Sequence, residues 1–101
     1  MIDLTPDELA EVKRILAEHA QGMEVWAFGS RVDGSSRKNS DLDLAIVTPA
    51  KVDWRLIERI KDAFSSSNLP FMVDVVELAS LPEGVAATAR KRHEVIQEAG
   101  S

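Results

Sequence analysis

Leu9, Val12, Ile15 and Leu16 recur at helical spacing near the start of the chain. Thr5, Pro6 and Glu8 precede them as an N-cap, a first-turn proline and the acid of a T-x-x-E capping box. A helix is therefore predicted to end near Gln21-Gly22. The apolar run MEVWAF over 23–28 reads as a short strand. Gly29 opens a polar turn with a short helix through 31–36. DLDLAIVT over 41–48 alternates and then turns wholly apolar, a second strand that Pro49 ends. Asp53 is placed to cap a further helix with Trp54, Ile57, Ile60, Lys61 and Phe64 along one stripe. After the loop SSSNLP, FMVDVVEL over 71–78 reads as a third strand. Ser80, Pro82 and Glu83 repeat the cap signals, which predicts a last helix to about Ala99 with Val85, Ala89 and Ile96 inward and Gly100 as its stop. The order helix–strand–turn–strand–helix–strand–helix gives an α/β or α+β sandwich with a small mixed sheet.

At 101 residues, without a linker-like stretch or an internal repeat, the chain reads as one domain over 1–101. No apolar run approaches the roughly 18–20 residues that cross a bilayer, and the acidic start MIDLTPDEL lacks the basic region of a signal peptide. Cysteine is absent, which removes disulfides and thiolate metal sites and fits a cytoplasmic location. A net charge of −5 argues against direct nucleic-acid binding, which needs a basic face. RKRH over 90–93 reads as a polar helix face, His19 and His93 as structural or exposed, and Trp26 and Trp54 as core or rim aromatics.

The chemistry concentrates at 29–43. Asp41 and Asp43 stand two residues apart at the start of a strand, so both point to one side, about 6.5–7 Å apart at the backbone. Paired carboxylates repel unless a cation lies between them, and hard oxygen donors suit Mg2+ or Mn2+. Two such ions clamp the attacking and leaving oxygens of a phosphoryl transfer. Asp74 interrupts a strand that otherwise wants burial, where a lone charge is costly. If the intervening helix is a crossover, the second and third strands are parallel and Asp74 lies beside the pair. If the first two strands are antiparallel, Gly29 and Ser30 face the carboxylates. Glycine admits a phosphate close to the backbone, and the serine hydroxyl and exposed N–H groups hold its oxygens. Arg31, Arg37 and Lys38 add positive charge. Together these are a phosphate cradle opposite a carboxylate cluster, equipment for nucleotidyl transfer.

The pattern G-S-x10-D-x-D, filled by Gly29, Ser30, Asp41 and Asp43 with Asp74 downstream, resembles the minimal nucleotidyltransferases of the polymerase-β-like superfamily. The resemblance covers nearly the whole chain. It implies an α+β fold, a small mixed β-sheet with helices packed on one face. It implies that Asp41 and Asp43 ligate two Mg2+ ions (Mn2+ being the alternative), that Asp74 ligates the catalytic one and helps activate the acceptor hydroxyl, and that Gly29, Ser30 and Arg31 bind the phosphates of a nucleoside triphosphate, with ATP as substrate. Members often read GSRARG where this chain reads GSRVDG, so Asp33 stands in an arginine's place and Arg37 and Lys38 are left to compensate. The resemblance further implies a HEPN-domain partner in a toxin–antitoxin pair, with this chain as the antitoxin that adds AMP to it. The alternatives are a binding module that neutralises a HEPN RNase by contact alone and, less favoured, a transferase acting on a small molecule. Homo- and hetero-oligomers both stay open. The chain contains no tyrosine, so it cannot be modified on one of its own.

Overall fold

The computed structural model describes residues 2–36, 40–49 and 51–100. Helix α1 (Pro6–His19) starts as predicted: the Thr5 hydroxyl accepts from the Glu8 N–H at 3.1 Å, and Glu8 accepts from the Thr5 N–H at 3.0 Å. Strand β1 (Glu24–Phe28) leads through Gly29 into a single turn, α2 (Ser30–Asp33), and strand β2 (Leu42–Val47) follows. Asp53 caps helix α3 (Trp54–Ser65) by accepting from the Arg55 N–H at 3.0 Å. Strand β3 (Val73–Glu77), a 3-10 turn (Leu78–Ser80), helix α4 (Glu83–Lys91) and strand β4 (Glu94–Gln97) complete the described chain.

The sheet order is β3-β2-β1-β4. β1 runs antiparallel to β2 and to β4, and β2 runs parallel to β3 across the α3 crossover. Alternation assigns each face. Val25, Ala27, Leu42, Leu44, Ile46 and Val75 meet Val12, Ile15 and Leu16 of α1 and Ile60 and Phe64 of α3 in the main core. On the opposite face, Trp26, Phe28, Ala45, Val47 and Val76 meet Ala86 and Ala89 of α4 in a smaller cluster. The long helices thus share one face, as expected, and α4 adds partial cover to the other. No described helix is long and apolar enough to cross a membrane.

The chain's end departs from the predicted helix over 83–99. The helical spacing of Val85, Ala89 and Ile96 is coincidental: α4 stops at Lys91, and Ile96 is buried from a strand. The bare edge of β1 decides the matter, because its backbone groups need partners. β4 supplies them, and the Gln97 amide donates to the carbonyls of Ala20 (2.7 Å) and Met23 (2.9 Å), tying the strand to the end of α1. Ser80 closes the 3-10 turn instead of capping α4, whose N-cap is Pro82. RKRH does not stay on one helix: Arg92 leaves it, and the His93 ring stacks on Trp26 at 3.7 Å. Trp54 is 70% exposed, neither core nor rim.

Candidate active site

Register assembles the acidic side of the site. Asp43 is the partner of Phe28 on β1 and of Asp74 on β3, so Asp74, Asp43 and Phe28 form one row across the sheet. The row shares the parity of Ala45, Val47 and Val76 and lies on the α4 face. Asp41 sits just before β2, exposed, rather than within the strand as expected. Burial first, then the neighbouring carboxylates of Asp74 and Asp41, push the Asp43 carboxyl above its ordinary range. Asp74 itself is exposed, because β3 is an edge strand. The burial expected of it does not hold; its place beside Asp43 does.

Gly29 sits against this row with φ +80°, a conformation that disfavours side chains. A Cβ there would collide with the Asp43 Oδ2. Position 29 therefore has two independent reasons to be bare. Ser30 begins α2 next to it, half-buried.

Arg31 does not join the cradle expected of it. Its side chain is buried; Nε donates to the Ser40 carbonyl (2.9 Å), an Nη donates to the Asp3 carbonyl (2.8 Å), and the guanidinium lies 4.1 Å from the Phe71 ring centre. Three separate segments are clamped by it, which turns the charge away from the surface. Arg37 and Lys38 lie outside the described residues.

A cavity of about 440 Å3 opens beside Gly29, lined by Phe28, Gly29 and Asp33 on one side and by Gly84, Val85, Thr88, Ala89 and Arg92 on the other. That volume lies within the ordinary span of small-molecule sites, roughly 300–1,000 Å3. Asp33 accepts from the Ser35 hydroxyl (2.5 Å) and the Ser35 N–H (2.9 Å), and these bonds, with Arg92 across the cavity, hold its carboxyl below the usual range. The α4 wall escaped the sequence reading. Its signal was the short alternating stretch EVIQ, which returns Arg92 to the end of β1.

The donor set at Asp41, Asp43 and Asp74 fits a divalent cation in chemistry: hard oxygens, with Asp74 and Asp41 near enough to oppose the ionisation of Asp43. Among the described residues no three such groups already converge at metal-holding geometry.

Known proteins place this arrangement. The family described as polymerase beta, nucleotidyltransferase matches residues 10–100. A Haemophilus influenzae protein described as a probable protein adenylyltransferase, MntA, is 45% identical over 97 residues, covering 96% of this chain and 85% of that one. Among solved structures, a toxin–antitoxin complex with AMP-PNP superposes with a TM-score of 0.63 at 21% identity, over 88% of this chain and 72% of that one. A tri-AMPylated HEPN toxin in complex with its MNT antitoxin, from Shewanella oneidensis, gives 0.56 at 18% identity, over 89% and 69%. Those two share the fold. With the acidic row, the bare glycine and a family match across almost the whole chain, this protein belongs to the polymerase beta nucleotidyltransferase family and is a nucleotidyltransferase.

Proposed function

We propose that this chain transfers AMP from ATP to a hydroxyl-bearing side chain of a HEPN-domain partner, as the antitoxin of a toxin–antitoxin pair. The observation that carries the reading is Gly29 pressed against Asp43, with Asp74 beside it in register. Support for the nucleotide and the partner comes from the adenylyltransferase relative and from the solved complexes with AMP-PNP and with an AMPylated HEPN toxin.

Asp41, Asp43 and Asp74 would hold Mg2+, two ions in full occupancy, and the metal would neutralise charge on the phosphates. The backbone at Gly29 lets phosphate oxygens approach, and the Ser30 hydroxyl donates to one of them. Asp74, exposed at the sheet edge, stands where an acceptor side chain can reach it and takes the hydroxyl proton. The acceptor oxygen bonds to the α-phosphorus, the bond from that phosphorus to the bridging oxygen breaks, and pyrophosphate leaves. Positioning and charge neutralisation do the work, without a covalent enzyme intermediate.

A contact-only antitoxin is the second reading, favoured by one observation: Asp33 puts negative charge on the cavity wall while Arg31 is withdrawn into the fold. Incubation with labelled ATP, Mg2+ and the protein encoded beside it separates the two. Label on that protein, lost in Asp41→Asn/Asp43→Asn, supports transfer. Equal protection from the RNase by both variants, without label, supports contact alone.

A further inference from the structure

The cavity beside Gly29 carries one carboxylate, Asp33, and one cation, Arg92, on its described wall, and Asp43 presses against Gly29. The strand register explains how that cation arrives. β4 pairs Val95 with Trp26 and Glu94 with Ala27, which brings the end of α4, just before the strand, to the Gly29 end of β1. On β1's other side, Phe28 is paired with Asp43. The bare backbone at Gly29 thus lies between an acidic row on β2 and β3 and a guanidinium at the mouth of β4. Arg92 is the last residue held by α4: its N–H donates to the Thr88 carbonyl at 2.9 Å, which fixes its backbone while the side chain remains exposed. The α4 surface between them is small and apolar, Gly84, Val85 and Ala89, with Thr88 as its hydroxyl. Such a wall leaves room for a flat or compact group and directs charge to the two ends.

We propose that Arg92 is the residue that holds the outer phosphates of the nucleoside triphosphate, on the side of Gly29 away from Asp43 and Asp74. The inference rests on the nucleotide-transfer reading and adds to it a positioning residue on the last helix and strand. A guanidinium presents a planar fork of donors that matches two phosphate oxygens at once. Arg31, nearer in sequence, is buried and turned into the fold, where Nε donates to Ser40 and an Nη to Asp3. Asp33 lines the same cavity, its carboxylate held by Ser35 and drawn electrostatically toward Arg92. The reacting phosphate then lies near Asp43, against Gly29, and the departing pyrophosphate lies near Arg92.

Calorimetric titration of the full chain with ATP and with inorganic tripolyphosphate, at fixed Mg2+, tests this. Charge-assisted bonds of this kind are worth enough that Arg92→Ala should weaken both ligands at least about tenfold. Arg92→Lys should recover part of the loss, and the melting temperature of both variants should match the unaltered chain. Binding by Arg92→Ala within twofold of the unaltered chain overturns the inference, as does a loss that Arg92→Lys leaves unrelieved or that accompanies a lowered melting temperature. Binding of neither ligand by the unaltered chain overturns the nucleotide reading itself, which is a different failure from that of Arg92.

Discussion

The two faces of the sheet are built from the same strands and obey opposite rules. Toward α1 and α3, β2 presents Leu42, Leu44 and Ile46, all essentially inaccessible to solvent. Toward α4 the same strand presents Asp43, Ala45 and Val47, and cover is partial. A single residue step along the chain moves from packing to chemistry. Stability is concentrated on the closed face, and the open face is free to hold repelling charges because it does not have to carry the fold.

The sharpest way to break this contrast is to mutate neighbouring residues on β2. Leu44→Ala opens a void in the closed face and should cost about 2–5 kcal/mol in urea unfolding. If it costs less than Asp43→Asn, the division between faces is wrong. The two arginines offer a second contrast. Arg31→Ala removes two charge-assisted bonds and a ring contact, and should cost roughly 2–3 kcal/mol. Arg92→Ala, on an exposed side chain, should stay within about 0.5 kcal/mol of the unaltered chain. Chemical unfolding of both variants checks the pair. Gly29→Ala tests the seam between the faces: the left-handed backbone and the collision with Asp43 should cost about 1–3 kcal/mol and abolish transfer of label from ATP.

The smallest effect carries the clearest sign. The folded chain holds Asp43's proton more tightly than the unfolded chain does, because burial and its neighbours oppose ionisation. Raising the pH from below the ordinary aspartate value of about 3.9 up through the elevated folded value therefore reduces stability. Asp43→Asn lacks that loss. At neutral pH without metal it should be as stable as the unaltered chain or more stable, by about 0.2–1 kcal/mol, the scale of opposed like charges in a sheet. A thermal melt that falls in this variant would show Asp43 to be a structural residue.

Much of this was legible in order of strength of signal. The Thr5–Glu8 box and the Asp53 cap are local devices whose partners lie within three residues, so sequence spacing is enough to find them. The antiparallel and parallel pairings entered as conditions, the parallel one on the helix being a crossover, and the parallel pairing puts Asp74 beside Asp43. The chain after Glu83 was misread because its spacing satisfies a helix, while the deciding partner, the edge of β1, lies some seventy residues earlier. Arg31 shows the same limit at the scale of one side chain. Its charge and its place beside Ser30 suggest a ligand contact, and nothing local reveals that Asp3, Ser40 and Phe71 converge on it.

The cavity's two walls also have a consequence in time. Phe28, Gly29 and Asp33 leave the ribosome more than fifty residues before Gly84–Arg92. Closing such long loops is slow compared with forming local helices. The acidic row can be laid down once β3 is made, but the cleft has no second wall until α4 and β4 fold back against β1. A chain synthesised only through β3 is therefore a sheet without a pocket, and the cleft forms only as α4 and β4 dock.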